Sequence, residues 1–105
     1  MLRSIKSPQR APRALHAVVQ SDGTVDVGSK DLSVVLAASV YTITPVQAFA
    51  RVPVVCVTPT EPGVLVLTSV TASAVEVSAF AVDGTTATDK GFHIQILGFD
   101  AADEY

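Results

Sequence analysis

The chain has 105 residues, 49% of them apolar and 16% charged, with a formal net charge of −3 and a single cysteine. That length supports one domain with one modest core and excludes two. The apolar content excludes disorder over most of the chain, and the lone Cys56 excludes an internal disulfide.

So few charges are too few to cover the surface of a monomer, so association with further copies or with a partner is expected. The charge is also unevenly placed. Residues 1–13 hold Arg3, Lys6, Arg10 and Arg13 and no acid, whereas the rest of the chain holds all ten acids and only Lys30, Arg51 and Lys90. A basic segment on an acidic body has its own job. Pro8 and Pro12 make it an extended arm, because proline removes an amide donor and biases its predecessor towards extended geometry. The arm residues Arg3, Lys6, Arg10 and Arg13 are therefore the expected partner-binding set.

Everything after the arm reads as strand and turn. A short strand over 14–20 meets the turn Ser21-Asp22-Gly23, and 24–27 pairs back as a hairpin. Residues 32–37 alternate, with Leu32, Val34 and Leu36 on one face. The strand 40–44 places Tyr41 and Ile43 together and ends at Pro45. Residues 46–51 have room for one short helical turn. The near-continuous apolar run 52–58 predicts a strand buried on both faces, with Cys56 as a small hydrophobe inside it.

Thr58-Pro59-Thr60-Glu61-Pro62-Gly63 is a loop. Strands follow over 64–71 and 74–82, the second placing Val75, Val77, Ala79 and Ala81 on one face. Asp83-Gly84 begins a polar loop, and the last strand, 92–99, sets Phe92, Ile94 and Ile96 opposite His93, Gln95 and Leu97. Residues 101–105 form an acidic tail. About eight short strands with turns every eight to twelve residues predict an all-β fold, an antiparallel β-sandwich over 14–100.

The chain offers little for catalysis. His16 and His93 lie far apart in sequence, each opposite the main apolar set of its strand. A Cys–His dyad requires an exposed Cys56 close to one of them, and the apolar run argues against that exposure. One Cys and two distant His do not give zinc spacing. There is no glycine-rich phosphate loop and no nucleophile elbow. Asp83, Asp89 and Asp100 fall at strand ends without calcium-loop spacing, and turns recruit Asp for backbone reasons. No enzyme activity, cofactor or metal is expected. Nucleic acid is an improbable partner for an acidic body, and no apolar stretch is long enough for a membrane helix.

The order of segments carries a resemblance. Leu32-Ser33-Val34 is followed by Tyr41-Thr42-Ile43-Thr44 and by Ala48-Phe49-Ala50-Arg51-Val52-Pro53-Val54-Val55. Thr68-Ser69-Val70-Thr71-Ala72-Ser73, Val75-Glu76-Val77 and Gly91-Phe92-His93-Ile94-Gln95-Ile96-Leu97-Gly98 complete it. Over about two-thirds of the chain this order resembles small β-sandwich modules of tailed-bacteriophage virions: decoration proteins, tail appendages and fibre tips similar to H-type lectin domains. The resemblance implies a jelly-roll or H-type-lectin-like sandwich in which Phe49 plugs one end. It implies a virion location and a homo-oligomer, typically a trimer, anchored to other virion proteins through the arm. The alternative it carries is a fibre tip that binds a host surface glycan. With no Trp, and with Tyr41 and Tyr105 as the only tyrosines, the chain is poorly furnished for sugar stacking.

Overall fold

The computed structural model describes residues 12–28 and 31–99. Arg3, Lys6 and Arg10 of the basic arm, and the acidic residues 101–105, lie outside these. Eight strands make the fold: β1 (Pro12–Val19), β2 (Val25–Gly28), β3 (Leu32–Ala37), β4 (Val40–Pro45), β5 (Val54–Pro59), β6 (Val64–Val70), β7 (Val75–Phe80) and β8 (Phe92–Phe99). Two four-stranded sheets, ordered β2-β1-β8-β5 and β3-β4-β7-β6, pack face to face, and every pairing is antiparallel. The protein is an antiparallel β-sandwich.

The alternating residues read from the sequence are the ones that fill it. Leu15, Ala17 and Val19 of β1, with Phe92, Ile94 and Ile96 of β8, face Tyr41 and Ile43 of β4 and Val75, Val77 and Ala79 of β7. Two-residue alternation on paired strands sends one set inward and the other out, and side chains from both inner faces make the core. The strands β8 and β7 sit inside their sheets, which explains why their inward residues are almost wholly buried.

Each end of the sandwich is closed differently. At one end the segment between β4 and β5 crosses from sheet to sheet. The Phe49 amide donates to the Ala72 carbonyl and the Ala50 amide donates to the Phe99 carbonyl, and the Phe49 ring is buried between them. At the other end the Tyr41 hydroxyl donates to the Ser21 carbonyl at 2.7 Å and accepts from the Lys90 amide at 3.0 Å. The Tyr41 ring meets Phe92 edge-on, with centroids 5.0 Å apart. Beside it the Glu61 carboxylate accepts from the Gly91 amide at 2.9 Å.

Three sequence expectations are corrected. The arm ends earlier than residue 13: Pro12 and Arg13 belong to β1 and pair with Phe99 and Gly98. Residues 46–51 contain no helical turn; the backbone there is bent but follows no repeating pattern. The run 52–58 is not buried on both faces. The strand β5 begins at Val54 and lies at a sheet edge, where Val54, Cys56 and Thr58 are exposed and only Val55 and Val57 turn towards the core.

Candidate functional site on the outer sheet face

The outward residues of β1, β8 and β5 form a grid fixed by strand register. Val18 stands opposite His93, and His93 opposite Thr58. His16 stands opposite Gln95, and Gln95 opposite Cys56. Ala14 stands opposite Leu97, and Leu97 opposite Val54. Pro12 stands opposite Phe99. None of these eleven positions carries a formally charged residue.

The grid divides into halves. Its first two rows line a shallow basin of about 310 Å³, walled by His16, Val18, Cys56, Thr58, His93 and Gln95. Its last two rows line a largely apolar groove of about 470 Å³, walled by Pro12, Ala14, Val54, Leu97 and Phe99, with Arg13 and Gly98 completing the wall. Three of these are large hydrophobic side chains left open to solvent: Val54 is 64% exposed, Phe99 53% and Leu97 49%. Scattered apolar side chains are ordinary on a surface, but apolar side chains gathered in one contiguous patch mark an interaction site.

The groove is held rigid from beneath. The Arg13 guanidinium lies over the buried Phe49 ring, 4.1 Å from its centroid, and its Nη2 donates to the Gln47 carbonyl at 2.7 Å. Gly98 gives that ring its room: a Cβ there would lie 2.5 Å from Phe49 Cδ1. The sequence set Arg13 aside as part of a free arm. In the fold it is a half-buried β1 residue that lies over the Phe49 ring and also lines the groove.

The expectation that Cys56 is buried fails. The thiol is free and exposed, and it shares its basin with both His16 and His93. The sequence does not reveal that meeting, because it depends on β8 inserting between β1 and β5. Gln95 separates His16 from Cys56, and His93 is diagonal to Cys56 across the β5–β8 pair. Diagonal positions of this kind lie roughly 7–8 Å apart from backbone to backbone, a spacing that a ring side chain can span.

The carboxylates serve turns. Asp83 accepts from the Thr85 and Thr86 amides and from the Thr86 hydroxyl, and Asp22 accepts from the Thr24 amide. Asp89 accepts from the Ser39 hydroxyl at 2.7 Å, and Asp100 lies outside the described residues. Among the described residues no three or more of His, Cys, Asp and Glu gather as metal ligands would.

No family model, curated protein or solved structure matches this chain.

Proposed function

We propose that this chain is a non-enzymatic structural subunit that works by self-assembly through the outer face of the β2-β1-β8-β5 sheet. The observation that carries the reading is the eleven-position grid without a formal charge, half of it an open apolar groove. The strand β5 has the composition of a strand covered on both faces, yet a single copy covers only one. A second protein surface supplies the missing cover and accounts for the low charge content of the whole chain.

Within that reading we assign the subunit to a tailed-phage particle, as a capsid decoration or tail appendage protein. The support is the order of segments from Leu32 to Gly98, with its Phe49 plug, and it is support from resemblance. The basic residues Arg3, Lys6 and Arg10 are the proposed anchor to other proteins of the particle.

Sedimentation equilibrium of the full chain over a wide concentration range tests the reading. A stable oligomer at micromolar concentration is expected. A monomer at every concentration overturns it.

A further inference from the structure

The strand β5 ends its sheet with one side open: it pairs with β8 and with no other described strand. The register tells which of its backbone groups are left over. The Thr60 amide donates to the Gly91 carbonyl, one step beyond the Pro59–Phe92 pair. Hydrogen-bonded pairs alternate along an antiparallel ladder, so Thr58, Cys56 and Val54 spend their amides and carbonyls on β8. Val55 and Val57 turn theirs to the open edge. So does Pro59, which has no amide to leave unpaired. Among the described residues no turn or loop bond between backbone groups reaches Val55 or Val57.

An unguarded edge is a template for another strand, and folds usually blunt theirs. The other three edges of this sandwich are blunted. The strand β2 is only four residues long, and β6 is bulged between Leu67 and Ser69. The turn at Gly23 sits against β3, so closely that a Cβ there would lie 3.0 Å from Leu36 Cβ. By contrast β5 has no charge from Val54 to Pro59 and no break in its register. Its guards are Pro53 and Pro59, placed evenly on either side of Cys56.

We infer that this edge is a pairing site for β5 of a second copy of the chain, antiparallel, about a two-fold axis through Cys56. A two-fold contact brings a surface against itself, so it must be self-complementary, and this edge is its own complement in one register. With Cys56 opposite Cys56, Val55 of each copy stands opposite Val57 of the other, and each such pair exchanges both of its hydrogen bonds. Every open amide and carbonyl of Val55 and Val57 is then used. Pro53 falls opposite Pro59, where neither is asked to donate. Sliding one copy by two residues sets a valine opposite a proline and leaves that valine's carbonyl without a donor. Sliding by one opposes open groups to groups already spent on β8. The axis runs perpendicular to the sheet, so both sandwiches lie on the same side and their sheets join edge to edge. The outer faces then lie side by side and stay open. This contact goes beyond the cover of the outer face proposed above and is separate from it.

Disulfide trapping in the full chain, with diamide as the added oxidant, tests the register. Two cysteines facing each other as a non-hydrogen-bonded pair lie about 4.5 Å apart at Cα, within disulfide reach, so the native chain should cross-link through Cys56. Val54 and Thr58 are exposed outward positions, and the proposed register sets each opposite the other. Val54→Cys and Thr58→Cys are therefore made separately, each together with Cys56→Ser. Mixed before oxidation, they should give about tenfold more mixed disulfide than either gives with itself, because like positions are displaced by roughly 13 Å along the strand. Mixed and like disulfides in the proportions of random collision, or none at all, overturn the inference.

Two further variants separate the edge from the face. Val57→Pro removes one open amide while leaving the bonds to β8 in place, and should cut the Cys56 cross-link about tenfold. Leu97→Glu alters the groove but not the edge, and should leave the pattern of mixed disulfides intact. Loss of that pattern with Leu97→Glu overturns the inference, since the contact then runs over the face. A chain that sediments as an oligomer but gives no mixed disulfide likewise sinks the edge pairing and leaves the assembly reading standing.

Discussion

The guanidinium of Arg13 rests 4.1 Å above the centre of the Phe49 ring, joining the first strand to the plug at one end of the sandwich. The ring is buried, so the cation is held over an apolar surface where its attraction is stronger than at an exposed site. The same side chain caps the Gln47 carbonyl. The bend that carries Phe49 across the sheets is thus fastened by a residue outside it. Truncating Phe49 to alanine should cost about 3–5 kcal/mol through lost burial and a cavity. Arg13→Ala should cost about 1–2 kcal/mol from the stacking and the hydrogen bond. Urea unfolding checks both, and the double variant should cost less than the two together.

Gly98 is bound to the same ring by sterics. Any side chain there collides with Phe49, whose buried ring cannot swing clear. Gly98→Ala should lose about 1–3 kcal/mol, the usual range for overpacking. Phe49→Leu in the same chain should restore part of that loss by removing the atoms in conflict. Thermal unfolding of the two single variants and the double variant measures the coupling.

At the opposite end Tyr41 ties three segments together with one hydroxyl. Tyr41→Phe keeps the edge-on contact with Phe92 but leaves the Ser21 carbonyl and the Lys90 amide without that partner. The expected loss is about 1–3 kcal/mol. Hydrogen exchange should show the Lys90 amide opening faster, with the Phe49 end unaffected.

The turn after β7 gives an acid-side signature. The Thr86 hydroxyl, then the Thr86 and Thr85 amides, hold the Asp83 carboxyl below the ordinary value of 3.8, at about 2. The Thr24 amide and hydroxyl lower Asp22 in the same direction. A carboxyl whose folded pKa is depressed adds stability above its ordinary pKa and loses it as pH falls through the folded value. The fully exposed setting keeps the effect small. Between about pH 4 and pH 2 the melting temperature of the native chain should fall more steeply than that of Asp83→Asn. Parallel melting curves for the two contradict the assignment.

Much of the fold was legible in the sequence, for a physical reason. Strands such as Phe92–Phe99 alternate strictly because one face meets the core and the other does not, so the inward set is visible as written. The β5 run was misread for the same reason. Apolar residues on both faces normally mean cover on both faces, but here one face is bare in a single copy. Arg13 was misassigned because a cation beside a proline looks like a solvated arm. Only the tertiary position of Phe49, far along the chain, shows otherwise. The grid of the outer face depends on the strand order, which local pattern does not encode. Its polar and apolar halves come together only when β8 lies between β1 and β5.

Cys56 reports most directly on whether that face is covered, because its thiol is exposed on the grid in a single copy. The measurement is its initial rate of reaction with a small aromatic disulfide, at low and high protein concentration, for the native chain and for Leu97→Glu. The account predicts a rate that falls as the native chain associates, while Leu97→Glu stays fast throughout. A native thiol that reacts as fast as that of Leu97→Glu at every concentration would contradict the claim that this face is buried in self-assembly.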